Sequence, residues 1–305
     1  MIRLVERKWL YFAISGLVIL PGIVFILLGG LRPGIEFRGG TLIDVRFSAA
    51  PSVAEIREVM TGLGRQEAQI LVAEGGRIEI RTFEMNAQEQ TATEAALRER
   101  YGERVRDVNP QVVSPSFSRE LIDNAIRSIA LASILIVLLI AFAFRSFGWG
   151  SAFRYGIASI IALLHDTLLV LGLFAMLGYF FEVEIDSLFV TAVLTIIGFS
   201  VHDTIVVFDR IRENLRLNPG EALNPVINFS IMQTMTRSIV TGVTVIFMLL
   251  TLYLFGGFSM RNFALALLVG VIAGTYSSIF NASQVVSLWQ EVEDRLRHRS
   301  TAAPA

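Results

Sequence analysis

Residues 188–214 read LFVTAVLTIIGFSVHDTIVVFDRIREN. Up to Phe199 the run carries no charge and is apolar enough to enter a lipid bilayer. His202 and Asp203 then interrupt it, ahead of the charges that begin at Asp209. An ionisable group at the bilayer centre costs at least about 2.5–3.5 kcal/mol on insertion scales, so such groups face a protein interior and serve a pathway or relay. The stretch marks a membrane protein with chemistry at bilayer depth.

Composition agrees. Of 305 residues, 53% are hydrophobic and 17% charged, and the mean hydropathy is +0.60; a soluble domain carries about 25% charged residues. The net charge of −1 leaves no nucleic-acid footprint. With no cysteine, disulfides and thiolate chemistry are excluded.

Runs of about 20 apolar residues, the length that crosses a hydrocarbon core of about 30 Å, fall at 9–30, 126–144, 155–178, 187–208, 237–256 and 262–286. The first follows a basic start, MIRLVERK, but is too long for a signal peptide and lacks a cleavage site, so it is read as a retained anchor. Arginine and lysine favour one set of short loops: Arg3, Arg7 and Lys8, Arg145 and Arg154, Arg210, Arg212 and Arg216, and the tail at Arg295, Arg297 and Arg299. By the positive-inside rule both termini are cytoplasmic. The expected layout is an anchor helix at 1–30, an extracytoplasmic domain at 31–122, a five-helix membrane region at 123–290 and a cytoplasmic tail at 291–305.

The domain has α/β punctuation. GGTLIDVRF alternates as a strand after a Gly39–Gly40 bend, and SVAEIREVMTGLG is a helix with Ser52 as N-cap and Glu55 three residues on. AQILVAEGGRIEIRTF is a hairpin about Gly75–Gly76, TATEAALRERYG a second helix and RVRDVNPQVV a last strand. The order βαββαβ predicts a ferredoxin-like sandwich. The domain contains no histidine and no catalytic or metal constellation, so it is read as a binding or docking module, and no cofactor is expected.

Three spans carry small or polar residues at helical spacing. These are Ser187, Thr191, Thr195, Gly198 and His202 in the fourth, Ser230, Thr234, Arg237, Thr241, Thr244 and Thr251 in the fifth, and Gly270, Gly274, Ser277, Asn281 and Gln284 in the sixth. Close helix packing accounts for such stripes without any further role. The ionisable residues ask for more. Asp166 falls near the centre of the third span beside His165, Asp203 lies in the fourth beside His202, and Arg237 opens the fifth. Arg237 shares the stripe of Thr241 and Thr244 and is expected on the face of the fifth span turned toward the fourth, where helix movement that changes its distance from Asp203 would load and unload a proton. A static ion pair, or an arginine reaching the interface, is the plainer alternative; for Asp166 a packing or hydrogen-bonding role stays open. The charges of Asp209 to Glu213 read as a cytoplasmic helix extension.

GFSVHDTIVVFDRIREN resembles a pattern of the SecF family, G-[YF]-S-[IL]-N-D-[ST]-[IV]-V-V-x-D-R-[IV]-R-E-N. GIEFRGGT at 34–41, the His165–Asp166 pair and LYLFGG at 252–257 are similar to further family motifs. The resemblance implies a polytopic α-helical half-transporter of the RND type with six transmembrane helices, in the bacterial cytoplasmic membrane. It would pair with SecD, use the proton gradient to help preproteins leave the SecYEG channel, and keep company with YajC; it would not be an enzyme. The family's proton pathway falls on Asp203 and Arg237, with Asp166 and His202 as further candidates. His202 stands where the family has Asn, Glu36 where it has Asp, and Ser114 and Ser118 where it has Gly, which would stiffen a hinge there. The reading from another class is half of an RND-like proton-driven exporter of small lipids or drugs, though a domain of about 90 residues is small for enclosing a substrate.

Overall fold

A bilayer offers no water to backbone N–H and C=O groups, so each apolar run closes its hydrogen bonds within itself as a helix. The computed structural model describes residues 3–145 and 149–301. In chain order the elements are α1 (Lys8–Leu27), β1 (Arg32–Pro33), α2 (Ile35–Arg38), β2 (Gly40–Phe47), α3 (Val53–Gly62) and β3 (Gln69–Ala73). Then come β4 (Arg77–Thr82), α4 (Ala87–Tyr101), β5 (Val105–Val113), α5 (Pro115–Phe144) and α6 (Trp149–Phe181). The chain closes with β6 (Glu184–Ile185), α7 (Ser187–Leu217), α8 (Leu223–Phe255), α9 (Phe258–Ser277), a π-helical turn (Ser278–Ala282) and α10 (Ser283–Thr301). Among the described residues six helices are long and apolar enough to cross a membrane, the sixth running through the π turn from Met260 to Leu296.

Several helices outrun the expected spans. The second starts at Pro115, where Ser114 accepts a hydrogen bond from the Phe117 N–H at 3.3 Å, and the fifth starts at Leu223. Arg237 therefore sits well inside α8 instead of opening it. Hydropathy measures the apolar thickness a helix crosses, and these helices continue beyond it.

The bundle core is built by α6, α7, α8 and α9, which pack on one another, with Phe144 of α5 and with Phe174, Ile196, Phe208 and Ile211 fully buried. Helices α1 and α5 lie against α6 and leave lipid-sized faces exposed, among them Leu17, Leu27, Leu131 and Phe142. On α1 only Lys8, Ser15 and Gly22 are buried, seven residues apart on one stripe. A Cβ on Gly22 would fall 2.6 Å from Cα of Gly172, so the two backbones touch there, as small residues permit in membrane helices. The Lys8–Glu291 ion pair holds the start of α1 beside α10, so both termini lie at one end of the bundle. The α/β domain, inserted between α1 and α5, lies at the other.

In that domain the strand order is β3-β4-β2-β5, every neighbour antiparallel, as the predicted β-α-β-β-α-β order requires. Alternate residues Ile43, Val45 and Phe47 of β2 meet Ile78 and Ile80 of β4 under Ile56 and Met60 of α3 and Leu97 of α4. Ser52 and Glu55 form the expected capping box on α3. A second one, Asn86 with Glu89, starts α4 at Ala87, ahead of the stretch read as helix. Gly40, at φ 149°, passes the Thr82 carbonyl so closely that a Cβ would lie 2.5 Å from its oxygen.

Polar contacts tie domain to bundle. β1 pairs in parallel with β6, and Glu184 receives Arg38 at 2.5 Å and Arg81 at 2.6 Å. Glu36, which stands where the family has Asp, accepts the backbone N–H of Ser187 at 2.6 Å, and Asp186 accepts that of Phe189 at 2.8 Å. Both carboxylates thus cap α7, where the helix dipole favours negative charge. Burial, and to a lesser extent the nearby Glu36, push the Asp186 carboxyl above its usual range.

Candidate functional site

The central part of the bundle holds two buried carboxylates. Asp166 on α6 is 1% exposed and Asp203 on α7 is 7% exposed. Ser200 and Ser277 each donate to Oδ2 of Asp166, at 2.5 and 2.7 Å, while Nδ1 of His165 lies 2.8 Å from its Oδ1. Ser238 donates to Oδ1 of Asp203 at 2.7 Å and Ser278 to its Oδ2 at 2.5 Å. Burying a carboxylate is costly unless its lone pairs are met, and here hydroxyls meet them.

The sequence builds this arrangement in three ways. Ser200 and Asp203 lie three apart on α7, so the fourth span serves both carboxylates from one face. Ser277 and Ser278 are neighbours, about 100° apart around the helix, so the sixth span reaches Asp166 with one hydroxyl and Asp203 with the next. Gly274 lets that span approach: a Cβ there would stand 3.2 Å from the Ser200 Cβ and 3.7 Å from Oδ2 of Asp166. The π turn begins at Ser278, and such turns are frequent at functional sites.

Chemically, the serines can serve either protonation state. Ser277 also lies 3.3 Å from the carbonyl of Gly274, and Ser278 lies 3.1 Å from that of Thr275. A hydroxyl has one proton and two lone pairs. Facing a carboxylate, each serine donates to it; facing a carboxyl, it can turn its proton to its own backbone and accept. Neither state strands a buried polar atom. A side network extends outward, with Nε2 of His165 3.0 Å from the Ser15 hydroxyl, which Asn281 bonds in turn at 2.9 Å.

The other two sequence candidates are placed elsewhere. His202 is exposed, facing away from Asp203 around α7, with Thr191, Thr195 and Gly198 on its exposed seam. Arg237 was expected to face the fourth span with Thr241 and Thr244; all three are exposed instead. The buried face of α8 is Ser230, Thr234, Ser238 and Gly242, four apart, because the sixth span seats on Gly242, where a Cβ would meet Thr275 Oγ1 at 2.6 Å. The step of three from Thr234 to Arg237 leaves that face. Arg237 thus stands one residue from the donor to Asp203, makes no ion pair with it, and points out of the chain. The sixth-span seam is buried throughout, as packing required. Sequence reasoning missed Ser200, Ser238 and Ser278; the Ser277–Ser278 pair next to a recognised seam was the available signal for the last.

Residues 93–292 match the family described as protein export membrane protein SecD/SecF, C-terminal, and residues 24–51 match the SecD/SecF GG motif. The protein translocase subunit SecF of Thermobaculum terrenum is 45% identical over 97% of this chain and 96% of its own length. That of Anaerolinea thermophila is 37% identical over 100% and 99%. The SecDF of Bacillus subtilis is 33% identical over 93% of this chain but only 37% of its own. Among solved structures, SecDF from Thermus thermophilus superposes with a TM-score of 0.82 at 29% identity, covering 95% of this chain and 39% of that one. With near-complete coverage of the SecF relatives and the buried carboxylates set in the matched region, this chain belongs to the SecD/SecF family, as a SecF subunit.

Proposed function

We propose that this chain is the SecF half of an export complex in which proton movement through the membrane drives release of preproteins on the far side, with Asp203 as the proton-holding group this half contributes. The observation that carries the reading is the pairing of a membrane-buried carboxylate with serines able to donate or accept. A static ion pair would have placed Arg237 against Asp203, and it does not stand there. A group able to be neutral or charged at bilayer depth couples helix position to proton occupancy.

The partner half follows from what this chain leaves open. Arg237 and the seams of His202 and Thr241 present polar groups at membrane depth on an outer face of α7 and α8. SecD is the chemical complement: the SecDF relatives are longer chains of which this one spans about two fifths. Arg237 then meets a carboxylate of the partner subunit, and Asp166 with His165 forms an accessory proton site. The termini end faces the cytoplasm on the arginine distribution, and the α/β domain works outside beside SecYEG and the emerging preprotein. Vesicles lacking the native protein, given its SecD partner with or without this chain, test the reading. A proton gradient should accelerate preprotein transport only when this chain is present; equal acceleration without it refutes the proposal.

A further inference from the structure

The two halves of the bundle differ in what they bury. In the described residues of α6 to α10, every buried polar side chain lies at the level of the carboxylates or on the termini side of them. Toward the α/β domain the interior is closed by apolar groups, with Phe174, Phe189, Val193, Ile196, Leu249 and Leu267 all buried. Toward the termini, buried polar groups recur along the sixth span after Ser278: Asn281, Ser283, Gln284 and Ser287.

Ser283 and Gln284 are wholly buried, yet Oγ of Ser283 and both amide atoms of Gln284 have no hydrogen-bond partner among the described residues. An amide unbonded at both ends is too costly to keep in a membrane interior, and such groups are where buried water binds. One turn further, Ser287 donates to Oδ1 of Asn224 at 2.8 Å, and Nδ2 of Asn224 donates to Glu291 at 3.3 Å. The Glu291 side chain is 33% exposed at the termini end, beside Lys8. Hydrogen-bonded groups thus stand at both ends of the segment, with unbonded donors and acceptors between them.

We infer that Ser283 and Gln284 bind water, and that this hydrated segment is the proton path between the Asp166–Asp203 layer and the termini-side surface, leaving through Ser287, Asn224 and Glu291. The inference rests on the proton-driven reading above and adds a direction to it: in this conformation the carboxylates communicate with the termini side and are sealed from the other by the apolar layer.

The chain has no native cysteine, so single cysteines report water access directly. In the complex assembled with its partner half in vesicles, Gln284→Cys should react with a small charged methanethiosulfonate added from the termini side, because thiol reactivity requires an ionised, solvated thiolate. Ile196→Cys, in the apolar layer, should not. Gln284→Met, similar in length but unable to bind water at its end, should slow gradient-driven export by about tenfold or more, the loss expected when a proton carrier is removed. Gln284→Asn should keep most of the rate, which a packing role alone would not explain. Gln284→Cys as inert as Ile196→Cys, or Gln284→Met at full rate in an assembled complex, overturns the path. Asp203→Asn run alongside separates the two levels: if it abolishes the gradient response while Gln284→Met does not, the path alone fails; if Asp203→Asn keeps the full response, the proton reading fails and the path with it.

Discussion

The contact between Gly22 and Gly172 sets how far α1 stands from α6, and with it whether Ser15 reaches His165. In Gly22→Ala the new Cβ would lie 2.6 Å from Cα of Gly172. Carbon atoms pack at about 3.5–4.0 Å, so the helices must part by about 1 Å at the crossing. Ser15 lies seven residues before Gly22 and His165 seven before Gly172, about 10 Å along each helix, since each residue rises about 1.5 Å. A parting of that size moves the 3.0 Å Ser15–His165 contact out of hydrogen-bonding range. Overpacking of this kind costs about 1–3 kcal/mol, and the lost hydrogen bond adds about 0.5–1.5 kcal/mol. Detergent-denaturation of the purified chain in mixed micelles, followed by tryptophan fluorescence, should show Gly22→Ala and Gly172→Ala each destabilised by about 2–4 kcal/mol. Because both act on one contact, the double variant should cost less than the sum of the two. Single variants indistinguishable from the parent, or strictly additive ones, would refute the close crossing.

Arg237→Met should remove gradient-driven export while the isolated chain keeps its stability, because the Arg237 side chain is exposed in this subunit; a destabilised chain would mean that Arg237 is structural here. Asp186 gives a pH signature at the junction of domain and bundle. A carboxyl raised on folding contributes stability that is complete below its unfolded value, near about 4, and lost as pH rises through the folded one. Between about pH 4 and 7 the parent should therefore lose more stability than Asp186→Asn does, and parallel pH profiles would show that Asp186 does not titrate as placed.

The spans, the strand order and the Ser52 cap were legible because each rests on a periodic or local signal: twenty apolar residues, alternation in β2, a serine three residues before a glutamate. Asp203 and Asp166 were legible for a different reason, the cost of a carboxylate in lipid. Most of their hydroxyl partners were not. Ser238 and Ser278 look like any small residue on a membrane helix, and only the crossing of three helices makes them donors. The orientation of Arg237 was misjudged because a stripe drawn at spacings of three and four can follow either of two faces. The seat of the sixth span on Gly242, invisible from α8 alone, decides between them. The capping role of Glu36 was not legible because its partner, the Ser187 N–H, is far away in sequence.

The most direct measurement compares gradient-stimulated preprotein transport for the parent, Asp203→Asn and Asp203→Glu, in vesicles where each variant is assembled with SecD to the same level. Asparagine can take up both serine hydroxyls that bond Asp203 but cannot titrate. The account predicts that the proton gradient no longer accelerates transport in Asp203→Asn, that Asp203→Glu retains part of the acceleration, and that transport without a gradient is equal in all three. Full acceleration in Asp203→Asn would contradict it.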